Sequence, residues 1–121
     1  MNNINLPQIQ EVSRVLNYRS STAASTSATD RQKCPLTGRI TQILLHFPAG
    51  CNALVRTKVL HNGLSILPTD DWIALDDTTP IYPMNWPVNI TDYLDVVIEN
   101  TDAVFAHTLT ITITITGVEG V

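Results

Sequence analysis

The sequence predicts an all-β fold: a single jelly-roll-like antiparallel β-sandwich with an extended N-terminal arm. Three observations predict it. Residues 107–116 read His-Thr-Leu-Thr-Ile-Thr-Ile-Thr-Ile-Thr, with Leu109, Ile111, Ile113 and Ile115 on one parity and threonine on the other. Side chains alternate across a strand with period 2, so this segment needs a sheet with a core on one side and water or a partner on the other. Shorter alternations with turn signals between them recur from Thr37 onward. The first 36 residues lack that pattern.

Taken in order, residues 1–36 form the predicted arm. Pro7 is placed to open a short helix over 8–17, in which Ile9, Val12, Val15 and Leu16 recur at spacings of three and four. Residues 20–29, Ser-Ser-Thr-Ala-Ala-Ser-Thr-Ser-Ala-Thr, contain no large side chain and read as a flexible linker. The sandwich domain is then expected over 37–121. Ile43, Leu45 and Phe47 alternate up to the turn Pro48-Ala-Gly50, and Val55, Thr57 and Val59 alternate with Arg56 and Lys58. Asn62-Gly63 is a two-residue hairpin signal that would set Val59 opposite Ile66. Trp72 to Leu75 reads as a short strand, and Pro80, Pro83 and Pro87 restrict 81–90 to an edge strand or loop. Leu94, Val96 and Ile98 mark the next strand, followed by the turn Asn100-Thr-Asp102 and the threonine strand. Seven or eight short strands at this spacing suit a jelly roll.

A chain of 121 residues builds one core. Charged residues make up only 15% of it, and they are unevenly placed. Residues 1–39 hold five cations against two anions, a net of +3, whereas 40–121 hold two cations against nine anions, a net of −7. A basic arm on an acidic body can join copies or reach an acidic neighbour. The acidic body argues against nucleic acid as a partner. The lack of a long apolar run argues against a membrane. Cys34 and Cys51 have no metal-ligand spacing and read as free thiols.

No catalytic signature accompanies the fold. His46, His61 and His107 lack the clustered spacing of a metal site, and the aspartates beside Thr, Pro and Asn are ordinary turn residues. No phosphate loop, dinucleotide fingerprint or nucleophile elbow occurs, so no cofactor and no enzyme is expected. Trp72, Tyr82 and Trp86, close in sequence among prolines, are the candidate ligand-binding aromatics.

An arm over 1–36, a strand pattern over 37–117 and a threonine-covered outer face resemble the small jelly-roll decoration (cement) proteins of tailed-phage capsids. The resemblance implies a non-enzymatic virion protein, made in the host cytoplasm and located on the capsid surface. Such a protein would form a homotrimer, bind the major capsid protein or another virion shell protein through its N-terminal arm and sandwich base, and stabilise the shell. On that reading Ile9, Val12, Val15 and Leu16 anchor the arm, Arg14 and Arg19 pair with acidic neighbours, and residues 1–30 can be deleted without unfolding the sandwich. Two alternatives stand beside it. One is a carbohydrate-binding or adhesion module that uses the three aromatics. The other is a tail or filament subunit that assembles by arm exchange, with Ile40 to Phe47 accepting a neighbour's strand at an edge.

Overall fold

The computed structural model describes residues 11–118. Among the described residues, nine antiparallel strands form two facing sheets. They are β1 (Val12–Thr22), β2 (Thr26–Lys33), β3 (Thr37–His46), β4 (Val55–His61), β5 (Leu64–Leu67), β6 (Ile73–Ala74), β7 (Ile81–Val88), β8 (Tyr93–Asn100) and β9 (His107–Val118). One sheet has the order β1-β9-β3-β7, and the other β2-β8-β4-β5 with β6 also on β4. The pairs β1/β9, β2/β8, β3/β7 and β4/β5 are nested, as in one long antiparallel ribbon rolled up, which is jelly-roll topology.

Period-2 alternation builds the core. Leu109, Ile111, Ile113 and Ile115 of β9, Leu94, Val96 and Ile98 of β8, and Ile43, Leu45 and Phe47 around β3 are all buried between the sheets. Ile40 is also buried, three residues before Ile43 and so out of phase with it. A bulge between Ile40 and Gln42 absorbs the extra residue and returns both isoleucines to the core. Gly38 and Gly117 face each other where β3 meets β9. A Cβ on either would collide with a carbonyl of the opposing strand, Thr116 for Gly38 and Thr37 for Gly117.

The expected short helix and linker are not what the chain builds. From Val12, residues 12–22 are a full strand paired along its length with β9, and 26–33 are a strand paired with β8. Tyr18 of β1 is buried and donates its hydroxyl to the Leu94 carbonyl of the opposite sheet at 2.8 Å. Residues 12–33 therefore supply one strand to each sheet. The spacing misled because Val12, Val15 and Leu16 satisfy a helical period, whereas the true inward set is Val12, Leu16, Tyr18 and Thr22, interrupted by exposed Arg14.

One register and one strand position also differ from expectation. The Asn62-Gly63 hairpin forms and pairs His61 with Leu64, but a shift between Val59 and Leu60 places Val59 opposite Leu67 instead of Ile66. Strand β3 lies between β9 and β7, so Ile40 to Phe47 is interior and offers no edge to a neighbour.

Candidate functional site

The residues expected to anchor an arm are dispersed by the strand geometry. Ile9 lies outside the described residues. Val12 and Leu16 pack against the core from the inner face of β1. Val15 stands on the opposite face, half exposed, beside Thr114 of β9. Arg19 is on that same outer face, level with Thr110, and Arg14 is exposed with Nη1 donating to the Ser13 carbonyl at 3.1 Å.

The three candidate aromatics do not converge. Tyr82 and Trp86 point inward from β7 and pack against the core. The Trp86 indole N–H donates to His61 Nδ1 at 2.9 Å. Trp72 lies outside the other sheet, with the Arg56 guanidinium 4.5 Å and the Lys58 ammonium 4.3 Å from its ring centroid. Both contacts are cation–π interactions that cover the indole face. A shared stacking platform for a sugar is absent among them.

Each histidine is engaged locally. His46 Nδ1 lies 2.8 Å from the Thr79 hydroxyl. His61 accepts from Trp86 at Nδ1, so Nε2 carries the proton it donates to Asp92 at 2.7 Å. That bond, followed by the one from the Asn89 backbone N–H, holds the Asp92 carboxyl below its ordinary range. His107 Nε2 lies 2.8 Å from Asp102, and its Nδ1 faces Cys51 Sγ at 4.0 Å. The His107 bond and the Val104 N–H likewise lower the Asp102 carboxyl.

Cys51, His107 and Asp102 thus line up in the order of a nucleophile, a base and an orienting acid. Cys51 is completely buried, and burial pushes its thiol up, which disfavours the thiolate that a nucleophile needs. Among the described residues no cluster of His, Cys, Asp and Glu is arranged to hold a metal ion. Sequence reasoning missed this trio because Cys51 and His107 are 56 positions apart and no local motif joins them. Asp76 acts in a turn, accepting from the Gly50 and Asn52 N–H groups at 3.1 and 2.9 Å. Both cysteines are free and buried.

What the molecule does present is surface and edge. The four strands of the β1-β9-β3-β7 sheet contain no Asp or Glu. Their outer face is a hydroxyl field in which Ser13 bonds Thr116 at 2.9 Å and Thr112 donates to Asn17 at 3.2 Å. The outer face of the other sheet is charged and internally paired, with Arg31 bidentate on Asp95 at 2.8 and 3.0 Å and Arg56 on Glu99 at 2.9 Å.

The sheet edges differ as well. Strand β7 is blunted by Pro83, Pro87 and a register shift, and β5 and β6 are short. On the other side, the Gln32 side chain of β2 donates to the Asn17 carbonyl of β1 at 2.7 Å, covering part of the β1 edge. Among the described residues β2, eight residues without proline or bulge, is an open edge beside β1.

This architecture defines the class: a two-sheet jelly-roll sandwich. No protein-family model and no curated protein sequence matches the chain. Solved structures do. A Bacillus endospore-appendage protein, described as forming disulfide-linked pili, is similar at 16% identity and a TM-score of 0.53, over 97% of each chain. A mitogen derived from Yersinia pseudotuberculosis is similar at 9% identity and a TM-score of 0.52, over 86% of this chain and 87% of that one. At these identities the likeness is one of fold.

Proposed function

We propose that the protein is a non-enzymatic structural subunit that assembles with further copies of itself into an ordered surface assembly, such as a filament or coat. The observation that carries this reading is the β2 edge, which among the described residues has no strand paired on its outer side and so can offer backbone N–H and C=O groups to an incoming strand. The hydroxyl-rich outer face supports it, because its serines and threonines can hydrogen-bond across a contact, while Arg19 and Arg39 on the same face can pair with a neighbour's carboxylates. The Bacillus appendage protein shows that a sandwich of this fold serves in a pilus. The buried state of Cys51 argues against turnover.

The test is proline placement on β2. Of two successive strand residues, one N–H faces β8 and the other faces away. One of Ala28→Pro and Thr29→Pro therefore keeps the native circular dichroism while blocking strand addition. That variant should lose side-by-side association in light scattering and electron microscopy. Unchanged assembly in the folded variant would reject the edge mechanism. A closed trimer that binds a capsid shell would favour the capsid-decoration reading over this one.

A further inference from the structure

Among the described residues, Val15 and Ile81 are exposed on the outer face of one sheet, and the other exposed large apolar side chains gather at the two ends of the sandwich. At one end, the loop between β8 and β9 exposes Val104 at 71% and Phe105 at 65%. Next to it Leu54 is 40% exposed, in a loop joined to the first by the Thr101 N–H donating to the Leu54 carbonyl at 2.8 Å. The first loop is not slack. Buried Asn100 donates to the Phe105 carbonyl at 2.9 Å, and Asp102 accepts from the Val104 and Phe105 N–H groups at 2.9 and 3.2 Å. These bonds pin the backbone that carries both side chains. An exposed aromatic on a fixed backbone is a pre-organised anchor, because its ordering cost is already met by the fold.

The opposite end lies one strand length away along β4, about 20 Å. There Leu64 is 59% exposed in the Asn62-Gly63 turn and Tyr93 is 40% exposed. The two are tied together, since Asn62 N–H donates to the Tyr93 carbonyl at 2.9 Å and Tyr93 N–H donates to Asn62 Oδ1 at 2.8 Å. The exposed charges beside the apolar groups differ. The Leu54 end carries exposed Asp76 and Asp77, while the Tyr93 end carries exposed Lys33, whose ammonium lies 6.0 Å from the Tyr93 ring centroid, with the neighbouring Asp92 already held by His61 and Glu11 near Arg39.

We infer that these ends are the two halves of one contact between copies of this chain. Leu54, Val104 and Phe105 of one molecule seat against Leu64 and Tyr93 of the next, and Asp76 and Asp77 meet Lys33. A tip-to-tip contact would set the aspartates against their own copies, a like-charge arrangement that opposes association. Because the two surfaces are different, the contact does not close on itself and propagates along the strand direction. The inference rests on self-assembly as proposed above and adds to it an end-to-end direction, distinct from side-by-side addition at β2.

Two substitutions test it, Phe105→Ser at the tip and Leu64→Ser at the base. Both sites are exposed, so both variants should stay folded by circular dichroism. They are examined in the folded β2-proline chain, where only the end contact remains, by sedimentation velocity from about 10 μM to 1 mM. The parent chain is expected to associate beyond the dimer. Each single variant should associate at least about tenfold more weakly. An equimolar mixture of the two should form a dimer, since one tip and one base remain intact. Dimerisation of Leu64→Ser alone would reveal a tip-to-tip contact and overturn the inference. So would association insensitive to both changes. If the natural chain assembles and the β2-proline chain is monomeric, the end contact is refuted and self-assembly stands. If the natural chain is monomeric throughout, self-assembly and the end contact both fall.

Discussion

Replacing Asn100 with alanine should be among the most damaging single changes in the molecule. The side chain is 1% exposed and joins three segments. Its Nδ2 donates to the carbonyls of Thr22, Ala23 and Phe105 at 3.0, 3.3 and 2.9 Å, and its Oδ1 accepts the Asp102 N–H at 2.9 Å. An amide has two N–H groups, so the longest of the three donor contacts is shared and three good bonds remain. At about 1 kcal/mol net for each, the loss is about 3 kcal/mol. The unfolding entropy of a 121-residue chain is about 0.25 kcal/mol/K, which converts this loss to a fall in Tm of about 12 °C. The assay is thermal and urea unfolding of Asn100→Ala, with Asn100→Asp beside it. The aspartate keeps the volume but turns a carboxylate toward three carbonyls, so it should be no better than alanine. Hydrogen exchange at Phe105 should also speed up, because the same change unpins the tip. A loss under about 1 kcal/mol would refute the view that this amide holds the end of the sandwich together.

Other perturbations follow from the same structure. A chain beginning at Thr37 lacks β1, β2 and buried Tyr18, and should show no cooperative unfolding transition; a native-like transition would mean that 12–33 is dispensable. Gly117→Ala drives a Cβ into the Thr37 carbonyl and should lower Tm, whereas Gly50→Ala, with open space around the Cβ, should lower it less and only through its backbone angle of +99°. Trp86→Phe removes the donor to His61 and should cost about 1 kcal/mol, visible as a lower urea midpoint. Stability should also fall at both pH extremes. Asp92 and Asp102 have lowered folded-state pKa values, so their contribution is present above about pH 4 and is lost as pH falls through the folded values. Cys34 and Cys51 are raised by burial, so the unfolded thiols ionise first and stability declines above about pH 8.5. Replacing both cysteines with alanine should flatten the alkaline decline.

The legible parts of the fold were those where one face is wholly apolar. The Leu109 to Ile115 alternation, the Leu94, Val96 and Ile98 set and the Asn62-Gly63 turn each carry their structure in local sequence, and all three appear as expected. Residues 12–33 were opaque for a physical reason. Edge strands bury only part of their inner face, so β1 tolerates exposed Arg14 on that parity, and β2 alternates polar side chains throughout. Their strand character comes from pairing with β9 and β8, partners far away in sequence. The polar networks were hidden in the same way. Nothing near Asn100 announces its bonds to Thr22 and Ala23, and nothing near Trp86 announces His61. The candidate interaction surfaces depend on which ends and edges the roll-up brings together, which is a property of topology.

The most direct test of the central claim is the mass of the full chain in solution as a function of concentration, followed by sedimentation equilibrium or light scattering. Assembly through distinct, non-closing surfaces predicts a mean mass that keeps rising with concentration, without a plateau at dimer or trimer, together with ordered particles in the electron microscope. A mass fixed at that of the monomer across the whole range would contradict it.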